Sequence, residues 1–161
     1  MKKAVIGLGS NLGNRLENIT QALQALKNLP GTTVIATSRF YETAPVEVQS
    51  AQNDYLNACA LLLTELSPHA LLGACLGIEA GLGRERREYH GSRIIDLDLL
   101  LYENTNLRED ELRLPHPGIL NRAFVLAPLS DLFPEKMALE LDFSDSFRDL
   151  DFSEVRLFQA N

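Results

Sequence analysis

Tyr55-Leu56-Asn57-Ala58-Cys59-Ala60-Leu61-Leu62-Leu63-Thr64, followed at once by Glu65-Leu66-Ser67-Pro68, is the stretch that decides the fold. A largely apolar run of this length between polar flanks reads as a buried strand. Ser67 then offers an N-cap hydroxyl, and Pro68 fills the first helical position, where its missing N–H costs nothing. The helix so begun carries Leu71, Leu72, Cys75, Ile78 and Glu79 and stops at Gly81-Leu82-Gly83. An earlier β–α pair has the same form. Lys2 to Leu8, with β-branched Val5 and Ile6, reads as a strand. Leu16, Ile19, Leu23, Leu26 and Leu29 then fall three or four residues apart, on one face of a helix that Pro30-Gly31 ends. Thr32 to Tyr41 is β-rich, Ala44 to Asn53 is irregular around Pro45, and Ile94 to Tyr102 is a last strand turning at Glu103-Asn104. The order β-α-β-β-α-β predicts an α+β, ferredoxin-like split βαβ fold: an antiparallel sheet with both helices on one face and a C-terminal addition. Asn121 to Leu132 reads as a further helix broken at Pro128, and beyond Pro134 no pattern is legible.

Composition narrows the function. The chain has 161 residues, 45% apolar and 23% charged, with net charge −7. That length predicts one domain over residues 1–161, and the apolar content excludes a disordered chain. Two cysteines make neither a disulfide framework nor a zinc ligand set. The short apolar start resembles no signal peptide, and no run approaches a membrane span, so a soluble, cytoplasmic protein without a membrane partner is expected. From Asp131 onward eight acids face three bases, making the C-terminal segment acidic. Nucleic acid is a poor partner for such a chain, because that affinity comes from neutralising phosphates. Yet Arg84, Arg86, Arg87 and Arg93 fall within ten residues. A tight basic cluster in an acidic chain points to a small, highly charged anion.

The chemistry concentrates in Arg93-Ile94-Ile95-Asp96-Leu97-Asp98-Leu99-Leu100-Leu101. Strand alternation turns Ile95, Leu97, Leu99 and Leu101 to the core and sets Asp96 and Asp98 on the opposite face, about 6.6 Å apart. Two carboxylates held so close repel one another unless a cation neutralises them. Hard divalent ions suit them, and Mg²⁺ is usually held by one or two carboxylates plus substrate phosphates; two metals could share such a pair. Taken alone, the pair is more often the solvated face of an amphipathic strand. The neighbouring arginines favour the polyphosphate reading, since guanidinium forks pair with phosphate oxygens and stay charged.

Other residues carry weaker signals. Gly7-Leu8-Gly9-Ser10-Asn11-Leu12-Gly13 fails both nucleotide-loop spacings, so Gly7 and Gly9 read as a tight strand exit. His116 is framed by Pro115 and Pro117 and could donate a hydrogen bond to a phosphate. His69 reads as an exposed first-turn residue, and Cys59 and Cys75 as small buried hydrophobes.

Several motifs together resemble the 6-hydroxymethyl-7,8-dihydropterin pyrophosphokinase family. They are Gly9-Ser10-Asn11-Leu12-Gly13, Phe40-Tyr41-Glu42-Thr43-Ala44-Pro45, Asp54-Tyr55-Leu56-Asn57 and Leu82-Gly83-Arg84. They continue through Arg93-Ile94-Ile95-Asp96-Leu97-Asp98, Leu114-Pro115-His116-Pro117 and Phe124-Val125-Leu126-Ala127-Pro128-Leu129. The resemblance covers about residues 4–132 and implies transfer of diphosphate from ATP to the pterin hydroxymethyl group, releasing AMP; a monomer is expected. It implies that Asp96 and Asp98 hold two Mg²⁺ ions, that Arg84 and Arg93 close on the phosphates, and that Arg86 lies on the same loop. Glu79, Leu99, His116 and Arg122 match the ATP pocket. Tyr55 and Phe124 match the rings that stack the pterin, Asn57 its hydrogen-bonding amide, and Thr43, Pro45 and Val46 further contacts. The sequence departs from the family at Tyr89-His90-Gly91-Ser92, where an aromatic and a Gly-Pro pair are common, and at Leu76, Glu111 and Arg113 near the nucleotide. Two competing readings are another Mg²⁺-dependent D-x-D nucleotidyl or phosphoryl transferase and a non-catalytic pterin-binding ferredoxin-like domain. Tyr55, Asn57 and Phe124 oppose the first; intact Asp96, Asp98, Arg84 and Arg93 oppose the second.

Overall fold

The computed structural model describes residues 1–44, 54–83 and 94–159. The first strand, β1 (Lys2–Ser10), leads into α1 (Arg15–Lys27), where the Asn14 side chain accepts a hydrogen bond from the Glu17 amide as N-cap. Helix α1 buries Ile19, Ala22, Leu23 and Leu26, the face that the spacing predicts. Next come β2 (Thr32–Thr37), β3 (Tyr41–Thr43) and β4 (Tyr55–Thr64), then α2 (Pro68–Gly81), capped by the Ser67 hydroxyl on the Ala70 amide. The expected β4 and α2 stand residue for residue, and Gly83, at φ +83°, takes the backbone out of the helix. Strand β5 (Asp96–Tyr102) completes the split βαβ series. Two short strands follow, β6 (Leu107–Arg108) and β7 (Arg113–Leu114), and then α3 (Ala123–Leu132). Past Pro134 lie β8 (Met137–Ala138), β9 (Leu141–Asp142), α4 (Ser144–Asp149) and β10 (Val155–Leu157).

Among the described residues, the main sheet runs β10-β3-β4-β1-β5, with β2 beside β3 along the same flank of β4, all antiparallel. The single strand expected over Thr32–Tyr41 is therefore interrupted. At the break the Arg39 backbone N–H, its Nε and its Nη2 all donate to the Asp131 carboxylate, as does the Tyr41 hydroxyl. This network ties the break to the end of α3.

Two apolar layers sandwich the sheet. Ala4, Ile6 and Leu8 of β1 with Leu56, Ala60 and Leu62 of β4 pack under α1 and α2. Val5, Cys59, Leu126, Leu129, Ile119 and Phe143 form the layer on the other face, joined by Leu139, Phe147 and Phe152 of the acidic segment. The segment that showed no pattern in sequence thus covers the second face.

Two further sequence expectations change here. A bulge between Val5 and Ile6 leaves Leu100 as an extra residue in β5, so Leu101 turns away from the side of Leu97 and Leu99 into the second layer. Pro128 does not break α3, which runs through it with the proline buried. Pro128 cannot donate to the Phe124 carbonyl, one bond near the start of the helix, and burial beside Leu126 and Leu129 outweighs that loss.

Candidate active site

Directly paired residues in adjacent strands project to one face of a sheet. Register therefore places Tyr41, Asn57, Gly9 and Asp96 in one row across β3, β4, β1 and β5. Thr43 and Tyr55 pair in the row on one side, and Cys59, Gly7 and Asp98 align in the row on the other. Asp96 and Asp98 thus share a face, as alternation predicts, and this face is the one α3 covers, because Cys59 packs with Leu126 and Leu129.

Gly7 and Gly9 are not a strand exit. Both lie inside β1, where the ladder to β4 and β5 needs extended backbone. A Cβ on Gly9 would stand 3.2 Å from Asn57 Oδ1 and 3.6 Å from Tyr55 Cδ1. The glycine leaves bare backbone between the amide of Asn57 and the carboxylate of Asp96, a flat floor spanning two interstrand spacings, roughly 10 Å. Asn57 is itself buried, and its Nδ2 donates to Thr43 Oγ1 at 2.9 Å.

Around the outer edge of β5 lies a cleft of about 410 Å³ lined by Leu72, Leu76, Glu79, Asp96 to Leu99, Asp110 to Arg113, His116 and Pro117. Its size suits a small-molecule ligand. Glu79 is 5% exposed and accepts a hydrogen bond from the Leu97 amide at 2.8 Å, the N–H between the two aspartates. Besides lining the cleft, it anchors the start of the carboxylate strand. Leu99 also lines it but is buried in the layer under α1 and α2.

His116 follows a cis Leu114–Pro115 bond and donates its backbone N–H to the Leu100 carbonyl. Its Nδ1 accepts from the Gly118 amide at 3.0 Å, so the neutral ring carries its proton on Nε2. Burial pushes the imidazole below the usual histidine range, against the pull of Asp98 and with the help of Arg122. At neutral pH it is an uncharged donor. Arg122, at the N-cap of α3, lies with its guanidinium carbon 5.9 Å from the Phe124 ring centroid. It also rests on Gly118, where a Cβ would come within 2.7 Å of it.

The structure thus gathers Thr43, Tyr55 and Asn57 at one end of the glycine floor. Asp96 and Asp98 stand at the other end, with Glu79, Leu99 and His116 around the cleft. Arg122 and Phe124 lie together at the start of α3. Pro45, Val46, Arg84, Arg86 and Arg93 fall outside the described residues. Sequence reasoning missed Gly9 as a floor and Gly118 as the seat of Arg122. The alternation of Gly7 and Gly9 in phase with Val5 was the available signal for the floor.

Residues 5–134 match the profile of the family described as 7,8-dihydro-6-hydroxymethylpterin-pyrophosphokinase (HPPK). The chain belongs to the HPPK family. Relatives of this chain include a 2-amino-4-hydroxy-6-hydroxymethyldihydropteridine pyrophosphokinase of Methylorubrum extorquens, 43% identical over 135 residues, covering 84% of this chain and 85% of the relative. One of the same description from Haemophilus influenzae is 42% identical, covering 82% of each chain. A mitochondrial folate synthesis bifunctional protein of Arabidopsis thaliana is 40% identical over 98% of this chain and 28% of its own length. Among solved structures, an HPPK-DHPS in complex with substrates superposes with TM-score 0.70 at 13% identity, covering 91% of this chain and 43% of the longer one. That likeness bears on the HPPK fold alone.

Proposed function

We propose that this HPPK transfers the terminal diphosphate of ATP to the hydroxymethyl group of 6-hydroxymethyl-7,8-dihydropterin in folate biosynthesis, releasing AMP. The observation that carries the residue assignment is the row Asn57–Gly9–Asp96. It sets a buried amide and a carboxylate at opposite ends of a row whose middle residue, Gly9, carries no side chain of its own. A flat heterocycle read along its edge by Asn57 and Thr43 and stacked by Tyr55 and Phe124 would reach over Gly9 toward Asp96. Its hydroxyl oxygen attacks the β-phosphorus and gives up its proton to solvent, the bridge to the α-phosphate breaks at the β-phosphorus, and AMP departs with that bridging oxygen.

The donor set at Asp96 and Asp98 fits magnesium: hard carboxylate oxygens on one strand face, Asp98 exposed and Asp96 half-buried. We assign both aspartates to two Mg²⁺ ions. Bound there, the metal supplies counter-charge to the triphosphate. Glu79 keeps the two carboxylates in register through the Leu97 amide. His116 offers its Nε2–H to a phosphate oxygen without adding charge, and Arg122 adds a cation beside the Phe124 ring. Leu72, Leu76 and Leu112 give the cleft an apolar wall for the base. Arg84 and Arg93 are assigned to the transferring phosphates and Arg86 beside them, on their place in the sequence. Pro45 and Val46 complete the pterin contacts on the same ground.

The proposal extends to one domain over 1–161, acting as a monomer in the cytoplasm with neither nucleic acid nor membrane as partner. The two buried free thiols and the net charge of −7 are in keeping with it. Among the described residues no helix is long and apolar enough to cross a membrane. Purified protein with ATP, Mg²⁺ and the hydroxymethyl pterin should accumulate AMP, and only when all three are present. Release of ADP, or no turnover with authentic pterin, would overturn the reading.

A further inference from the structure

Strand β10 has little burial to hold it: Val155 is half-buried, and Arg156 and Leu157 are exposed. It is held by pairing and charge. Val155, Arg156 and Leu157 pair with Thr43, Glu42 and Tyr41 of β3, and the Phe158 amide then donates to the Phe40 carbonyl at 2.8 Å. The Arg156 guanidinium donates to the Asp54 carboxylate. From α1, Arg15 Nη1 donates to the Asp54 backbone carbonyl at 2.9 Å, and its Nη2 meets Glu42 Oε2 at 2.8 Å. The same guanidinium lies 5.9 Å from the Phe158 ring centroid. Two arginines and two acids therefore tie α1, β3, β10 and the start of β4 into one knot.

The place of the knot matters. Asp54 immediately precedes Tyr55, and Glu42 immediately precedes Thr43, so both acids adjoin residues on the sheet face where the amide row lies. Alternation turns Glu42 to the opposite face from Thr43. The knot grips the two backbones from behind while Thr43 and Tyr55 point forward.

We propose that Arg156, with Arg15, is a positioning residue for the heterocycle seat: through Asp54 and Glu42 it sets where Tyr55 and the Asn57–Thr43 hydrogen bond stand. The segment beyond residue 134, outside the family match, then belongs to the substrate site in a mechanical sense. This inference rests on the reading that Tyr55 and Asn57 receive the pterin. The acids and bases of the knot touch neither the carboxylate pair nor the cleft around β5, so a loosened knot acts on one substrate and spares the other.

The test compares Arg156→Glu, Arg156→Lys and Asn57→Ala in the full-length protein. The readouts are KM for the hydroxymethyl pterin, kcat, the dissociation constant of a non-hydrolysable ATP analogue and the thermal midpoint. Arg156 is half-exposed, so the ordinary ceiling for such a pair sets the expected rise in pterin KM with Arg156→Glu at about fivefold. Analogue affinity should stay unchanged and kcat within about twofold, while Arg156→Lys, which keeps one charge for Asp54, returns KM most of the way. Asn57→Ala reports on the seat itself: if it leaves pterin KM unmoved, the substrate-site reading fails. If Asn57→Ala raises pterin KM and Arg156→Glu does not, the knot is no positioning device. A parallel loss of pterin affinity, analogue affinity and thermal midpoint in Arg156→Glu would also overturn it, as a purely structural pair behaves that way.

Discussion

At Asp96 and Asp98 two like charges share one face of β5 beside the side-chain-free Gly9 and Gly7 of β1. Two carboxylates on one strand face are an asset to a cation site. Asp96→Asn and Asp98→Asn should each lower kcat by on the order of a hundredfold or more, as loss of a group aimed at developing charge does. In metal-free buffer Asp98→Asn should be at least as resistant to denaturant as the parent. A sharp fall in the denaturation midpoint would show that Asp98 holds the fold instead. Among single residues, this pair was the most legible part of the candidate site, because alternation in a strand needs only local sequence. Gly9 was not legible in the same way. Its meaning depends on register with Asn57, 48 positions away, and a nucleotide-loop spacing rule tests the wrong property of it.

Among the elements, the β8–β9 hairpin is tied by Leu139 and Glu140, both left-handed, with φ +44° and +78°. A two-residue link with both φ positive favours Asn-Gly, and a side chain in that region costs about 1–2 kcal/mol. Glycine at the exposed second position removes that strain and gives back part of the gain as unfolded-state entropy, about 0.5–1 kcal/mol. Glu140→Gly should therefore raise the thermal midpoint by about 2–4 °C at most, as a gain near 1 kcal/mol does in a chain of this size. An unchanged or lower midpoint would refute the strain. Elements announced by local chemistry were read correctly from sequence: the Ser67-Pro68 cap, the three-and-four spacing of α1 and the polar bounds of β4. Elements that owe their shape to distant partners were not. The break between β2 and β3 belongs to Asp131, 92 positions from Arg39. The Leu99-Leu100-Leu101 run carries no period from which a bulge could be read. β10 exists because β3 offers it an edge.

For the molecule as a whole, the Arg39–Tyr41–Asp131 network is the clamp between the sheet and α3. Burial favours the neutral form of the Asp131 carboxyl, but hydrogen bonds from Arg39 and Tyr41 outweigh it and hold the group below its ordinary value of 3.8. A carboxylate depressed on folding stabilises the native state above its unfolded pKa, and that contribution fades as pH falls through the lower folded value. The gap in thermal midpoint between the parent and Asp131→Asn should be constant from neutral pH to about 5 and close below about 4. A gap that persists undiminished to strong acid would assign the clamp to something other than the carboxylate charge. Among the described residues β4 is bonded by β1 from Leu56 to Thr64 on one side and by β2 and β3 on the other, while β5 has a partner on one side only. Exposing the amides of β4 to water means dissolving two ladders; loosening β5 means opening one. On the proposed assignment the heterocycle is seated on a strand held from both sides and the polyphosphate on one held from a single side. With that assignment the lasting memory of the site would be for the shape of the ring, and its tolerance would be kept for the charged chain that must arrive, react and leave as two pieces.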